Sequence, residues 1–253
     1  MYDFCSLLDQ RGISMAFETR QRGYDVSVGR SAAEIDEGLR AYMLRVYNYM
    51  ASALALTGIV AMAVSTSPTL MQAIFGTGLH WIVMLAPIGL VFFLSARIHK
   101  MSFGAAQATF WIYAGLMGLS LASIFLVYTG ESIARTFFIT AGTFGAMSLY
   151  GYTTKKDLSG WGSFLFMGLI GIIIASVVNI FLGSGMLQFV ISAAGVLIFT
   201  GLTAYDTQRI KEEYHEHDDV TTAGKKALFG ALRLYLDFVN LFIMLLHFFG
   251  NRE

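Results

Sequence analysis

Apolar residues in this chain gather into long unbroken runs, and a helix needs about 20 such residues to cross a bilayer core. Seven runs reach that length, at roughly 46–66, 80–98, 105–128, 133–152, 161–182, 186–206 and 228–249. The third and fifth contain no charged residue. The pattern predicts an all-α membrane protein with seven transmembrane helices. Residues 1–40 read differently. Arg11, Glu18, Arg20, Asp25, Arg30 and Glu34 are among their mixed charges, which predicts a polar cytoplasmic tail ahead of a transmembrane domain over 41–253. No apolar run follows a basic start, so no cleaved signal peptide is expected.

Composition points the same way. Charged residues make up 13% of the chain, about half the share of a soluble domain, so too few polar side chains exist to cover a water-facing surface. Lys plus Arg equals Asp plus Glu at 17 each, so no global field recruits nucleic acid, and none is expected as a partner. The single cysteine, Cys5, excludes an intramolecular disulfide and a cysteine-built zinc cage. The lipid bilayer is the environment that fits.

Basic residues set the expected orientation. The connections after spans two, four and six hold Arg97, Lys100, Lys155, Lys156, Arg209, Lys211, Lys225 and Lys226. Those after spans one, three and five hold no Lys or Arg. Basic loops stay on the cytoplasmic side, which predicts the N-terminus inside and the C-terminus outside. Small residues recur within spans, as at Gly115 and Gly118, Gly168 and Gly171, and Ala193 to Gly195, and predict close helix packing. Trp81 and Trp161 stand at span ends, where interfacial aromatics belong.

The chemistry lies in the ionisable residues inside the spans. Ser and Thr return hydrogen bonds to their own helix, as expected for Thr140, Thr200 and Thr203. A carboxylate has no such refuge, and at the bilayer centre it costs about 2.5–3.5 kcal/mol on insertion scales. Asp237 lies near the middle of the seventh span. Arg233, Asp237, Asn240, Met244 and His247 share one helical stripe. Lipid would reject that stripe, so it is expected to face the bundle interior or a cavity. Asp206, in Gly201-Leu202-Thr203-Ala204-Tyr205-Asp206-Thr207-Gln208, falls near the cytoplasmic boundary. Arg97 closes the second span at a similar depth, where an ion pair with Asp206 would seal the inner mouth. Asp206 and Asp237, if close, titrate as a pair. The acidic stretch Glu212 to Asp219 offers oxygen ligands, but it lacks the glycine and the alternating spacing of a calcium-binding loop; a solvated loop is the expectation.

Several intramembrane functions fail on residues. The seventh span has no lysine for a retinal Schiff base, no helix carries His-Glu-x-x-His, and no glycine-flanked serine faces the deep His247. An intramembrane aspartyl protease pairs Tyr-Asp on one helix with Gly-x-Gly-Asp on the next. Tyr205-Asp206 fits, but Asp237 follows Leu234-Tyr235-Leu236, and no proline occurs after Pro87. An enzyme is not expected.

The stretch SLASIFLVYTGESIARTFFITAGTFGAMSLYGYTTKKDLSGWG (120–162), with AYDTQRIKEEY (204–214) and LYLDFVNLFIMLLHFFGNR (234–252), resembles the bacterial branch of the Bax inhibitor family. The resemblance begins near Ala41. It implies seven helices with the last at the centre, a bacterial inner-membrane location, and a pH-sensitive calcium leak. It further implies that Asp206 and Asp237 sense protons, with Arg97 as the latch; Arg233, Asn240 and His247 of the stripe are expected as polar support, and the two aspartates are expected to meet calcium transiently. Calcium would be a permeant ion, and no cofactor is implied. The alternative function is a membrane modulator that binds a membrane-bound AAA protease.

Overall fold

The computed structural model describes residues 36–98 and 100–251, so the tail expected over 1–40 lies almost wholly outside the described residues. Met43–Glu253 forms one compact unit. The helices are α1 (Asp36–Ser65), α2 (Pro68–Phe75), α3 (Leu79–Arg97), α4 (Phe103–Leu121), α5 (Gly130–Thr153), α6 (Ser159–Leu182), α7 (Gly185–Glu212) and α8 (Val220–Phe249). A 3₁₀ segment, Ala122–Leu126, continues α4. Among the described residues there is no β-strand.

Six helices are long and apolar enough to cross a membrane: α1, α3, α4 with its 3₁₀ extension, α6, α7 and α8. The expected fourth span is α5, which is long enough at 24 residues but more polar. Its polarity is directional. Ser132, Thr136, Thr140, Phe144, Ser148 and Gly151 recur at helical spacing and are buried, while Phe138 and Leu149 on the opposite face are 73% and 63% exposed. The hydroxyl residues that lower its average therefore point into the protein, while Glu131 and Arg135 stay exposed near its first turns.

The sequence pattern missed α2. It lies between spans one and two, where an eight-residue helix has too few apolar residues to register as a span. Its start signal is nevertheless explicit. Ser67 accepts a hydrogen bond from the Leu70 amide, and Pro68 occupies the first helical position. Met71 and Ile74 are buried against Val64, Val83 and Ala122, so α2 caps that end of the bundle.

Centrality belongs to α8. In its most apolar stretch 67% of residues are buried, against 17–28% in the other five spanning helices. It packs against α4, α5 and α7. Hydrogen bonds tie it to α1 and α4 as well: Thr57 Oγ1 donates to the Ala114 carbonyl at 2.8 Å, and Tyr235 Oη stands 2.7 Å from Thr57 Oγ1. The Thr57 proton is spent on Ala114, so Tyr235 is the donor in the second bond. Thr140 and Thr203 do bond back to their own helices. Of the small residues expected at helix contacts, Gly118 faces Thr57 and Val60, Gly168 faces Ile198, and Gly195 faces Met244. The closest approach is at Gly151, where a Cβ would run into the Ala204 carbonyl of α7.

Candidate functional site

The turn between α6 and α7 is built at Gly183, whose φ of +59° needs no Cβ penalty, and Ser184 caps α7 through the Leu187 amide. Asp219 caps α8, accepting from the amides of Thr221 and Thr222. The seven-residue connection makes α7 and α8 a hairpin, and so brings the two intramembrane aspartates onto facing surfaces. Asp206 and Asp237 reach the same cavity there. Asp237 is 5% exposed, and its Oδ2 is buried with no donor among the described residues.

Both aspartates line a cavity of about 480 Å³ between α6, α7 and α8. Arg233 and Asn240 line it too, so three members of the expected stripe face the cavity. Asn240 Nδ2 donates to the Leu236 carbonyl at 2.9 Å, which turns its amide oxygen away from the helix. Arg233 is the cation that lines the cavity with the pair. Its NH1 donates to Glu213 Oε1 at 2.8 Å, and its guanidinium lies 4.6 Å from the centre of the Phe229 ring. Glu213 sits at the end of α7 and also meets Arg209 at 3.8 Å. The site is thus a row of alternating charge: carboxyl pair, guanidinium, carboxylate.

A second polar chain braces Asp206. Thr207 Oγ1 donates to the Thr203 carbonyl at 2.7 Å, Ser148 Oγ lies 2.9 Å from Thr207, and Tyr47 Oη lies 2.6 Å from Ser148. With the Thr207 proton committed, Ser148 donates to Thr207 and Tyr47 donates to Ser148. Three helices, α1, α5 and α7, are pinned one residue from Asp206. Gln208 closes the loop before α6, taking the Leu158 amide and donating to the Lys156 carbonyl, each at 2.8 Å.

Set beside known proteins, residues 39–253 match the family model described as inhibitor of apoptosis-promoting Bax1. The chain belongs to the Bax inhibitor family. It is 51% identical to a protein of Rickettsia prowazekii over 218 residues, 86% of this chain and 92% of that one. It is 50% identical to the inner membrane protein YbhL of Escherichia coli K12 over 219 residues, 85% of this chain and 94% of that one. A membrane protein of Streptococcus pyogenes is 36% identical over 221 residues, covering 86% and 96%.

As a Bax inhibitor family member, the chain carries the aspartate pair where its last two helices meet, and the other expected residues distribute unevenly around it. Arg97 ends α3 exposed to the surroundings and takes no part in the ion pairs among the described residues, which are Arg209–Glu213, Lys226–Asp218 and Arg233–Glu213. Arg233, and not Arg97, lines the cavity with the aspartates. His247 is away from the cavity: its Nδ1 lies 3.1 Å from Gln188 Nε2, in a cluster with Asn179 and Ser192. Met244 packs on Gly195. The acidic loop is consumed by structure, since Glu213 holds Arg233, Asp218 holds Lys226, and Asp219 caps α8. Among the described residues no three His, Cys, Asp or Glu side chains converge as a metal cage.

Sequence reasoning missed Glu213, Tyr235, Thr57, Ser148 and Tyr47. One signal was available. Tyr205, Asp206, Thr207 and Gln208 are four consecutive polar residues at the end of an apolar run. A helix points four consecutive side chains in four directions, so each of them had to find a different neighbour.

Proposed function

We propose that the protein is a pH-sensitive leak pathway for calcium in a bacterial inner membrane, gated at Asp206 and Asp237. The carrying observation is the carboxyl pair itself, buried between α7 and α8, open to a cavity and held beside one guanidinium. Calcium is bound by oxygens, commonly six to eight. The two carboxylates and the Asn240 amide oxygen supply part of that shell and water the rest, which suits an ion that must leave again. With a proton between the aspartates the pair carries one negative charge and Arg233 balances it. Loss of that proton puts two negative charges in the cavity, more than Arg233 neutralises while Glu213 also claims it. The charge in the cavity, and with it the fit between α7 and α8, then follows pH. Arg233 is the latch on this reading.

Seven crossings complete the topology: the six apolar helices and α5, whose hydroxyl residues are buried and which exposes Phe138 and Leu149 outward. With the basic connections inside, the N-terminus is cytoplasmic and the C-terminus external. The chain acts without enzymatic chemistry and without a cofactor.

The test is calcium flux into liposomes holding the purified protein, measured from pH 6 to 8 beside Asp206→Asn and Asp237→Asn. Flux should depend on pH in the parent and lose that dependence in both variants. Absence of flux above empty liposomes at every pH would overturn the proposal and leave a protease-binding modulator in its place. Deletion of residues 1–40 should leave flux intact.

A further inference from the structure

A second cavity, of about 340 Å³, opens between α5, α6 and α7 on the far side of Tyr205 from the aspartates. Its interior is apolar, with Met147, Leu165 and Gly201 among the lining residues, and its mouth carries Lys156 and Asp157. Two aromatic residues flank the opening, Tyr150 at 44% and Trp161 at 62% exposure. Both stand at helix ends, where the bilayer meets water. The volume lies toward the lower end of small-ligand pockets, roughly 300–1,000 Å³. It holds a headgroup and the start of an acyl chain rather than a whole lipid.

The mouth is dipolar and fixed in place. Lys156 is anchored through its backbone at both ends: its amide donates to Thr154 Oγ1, and its carbonyl accepts from Gln208 Nε2. Its ammonium is exposed and outside the ion pairs among the described residues. Asp157 accepts the Ser159 amide on Oδ1 at 2.8 Å, and its side chain is exposed. One exposed cation and one exposed carboxylate, next to each other in the chain and sharing the cleft with two aromatic residues, match a headgroup that is itself a dipole. Lys156 suits its phosphate, Asp157 suits a primary ammonium that can donate hydrogen bonds, and the rings favour a cation over their faces. An anionic headgroup would meet Asp157 as a repulsive neighbour. A quaternary ammonium has no N–H to give it.

We propose that this cleft binds one zwitterionic aminophospholipid, of the phosphoethanolamine type, through Lys156 and Asp157. Occupancy presses on the wall shared with the aspartate cavity. Tyr205 lines both cavities and fits against Gly162, where a Cβ would lie 2.6 Å from the ring carbon Cζ.

The test reads binding, not flux, so it stands or fails independently of the leak. Trp81 and Trp111 are replaced by Phe, and quenching of Trp161 is followed in liposomes of phosphatidylcholine doped with lipids brominated on the acyl chains. Brominated phosphatidylethanolamine should quench at about a threefold lower mole fraction than brominated phosphatidylglycerol or phosphatidylcholine. Asp157→Asn, which keeps the Ser159 bond, should abolish that preference, and Lys156→Gln should weaken the phosphatidylethanolamine quench. Equal quenching by all three lipids, or preference for the anionic one, overturns the proposal. So does relief of quenching by free phosphoethanolamine, which would mark a soluble ligand. If the double Trp variant does not fold, native mass spectrometry of the parent protein against Asp157→Asn decides: loss of one retained phosphatidylethanolamine in the variant supports the site, and equal retention overturns it.

Discussion

The relay Tyr235–Thr57–Ala114 makes a quantitative prediction about how the central helix is held. Thr57 is 4% exposed and Tyr235 is fully buried, so no water replaces a lost partner. Tyr235→Phe removes one donor; Thr57 keeps its bond to Ala114, and the expected cost is about 1 kcal/mol, within the range for hydrogen bonds between membrane helices. Thr57→Val is worse. It strands the Tyr235 hydroxyl as a buried donor and strips the Ala114 carbonyl, for about 2 kcal/mol. In the double variant the stranded hydroxyl is gone, so the loss should stay near that of Thr57→Val alone, giving a coupling of about −1 kcal/mol. Thr57→Ser should restore most of the loss, because the hydroxyl remains. The assay is unfolding of the detergent-solubilised protein by titrated dodecyl sulfate, followed by far-UV circular dichroism. Additivity within about 0.3–0.5 kcal/mol, the behaviour of independent sites, would refute the relay.

Further outcomes test the site and the packing. Removing the guanidinium with Arg233→Gln should raise calcium flux about tenfold, from a Coulomb term of a few kcal/mol at an effective dielectric constant near 20, reduced for partial exposure. Glu213→Gln, which frees Arg233 for the aspartates, should lower flux; movement of both variants in one direction would contradict the alternating row of charge. Gly151→Ala drives a Cβ into the Ala204 carbonyl and should cost roughly 1–3 kcal/mol of stability as overpacking, read in the same unfolding assay; an unchanged midpoint would contradict the close approach of α5 and α7. The Thr222 side chain, with the amides of Thr222 and Thr221, holds the Asp219 carboxyl below its ordinary 3.8. A depressed value in the folded state means that the contribution of this cap is complete above 3.8 and is lost as pH falls through the folded value. Thermal melting of the parent in detergent should therefore decline more steeply below pH 4 than that of Asp219→Asn, whose cap does not titrate; parallel declines would show that the cap contributes nothing.

What was legible in the sequence follows a physical division. A bilayer demands about 20 apolar residues from any crossing helix, so α1, α3, α4, α6, α7 and α8 announced themselves by length and hydropathy. Asp206 and Asp237 stood out because a carboxylate among such residues needs a reason to be there. The partners of that pair were hidden. Arg97 and Arg233 both lie at a plausible level, and one-dimensional spacing does not say which helix faces turn toward each other; the structure puts Arg233 at the cavity and Arg97 at the surface. Glu213 sits in a run of acids in which nothing but a tertiary contact distinguishes one carboxylate from the next. Thr57, Ser148 and Tyr47 resemble the many hydroxyl residues that bond back to their own helix, and only the fold reveals that these three reach across. α2 was legible in principle through Ser67-Pro68, but a search tuned to crossing helices passes over a helix of two turns.

The central position of α8 also sets an order of assembly. Translation delivers α1 to α7 to the membrane before the residues of α8 leave the ribosome, yet α8 is the element around which the others pack. The earlier helices must therefore wait in the bilayer with the hydroxyl faces of α5 and α7 turned toward lipid or toward provisional neighbours. The protein closes only when Val220–Phe249 threads into place. Asp237 cannot meet Asp206 before then, so a partly synthesised chain contains Asp206 but lacks the pair. One carboxyl of the pair and the keystone of the fold are carried on the same helix, so the cavity with both aspartates exists only in the finished protein.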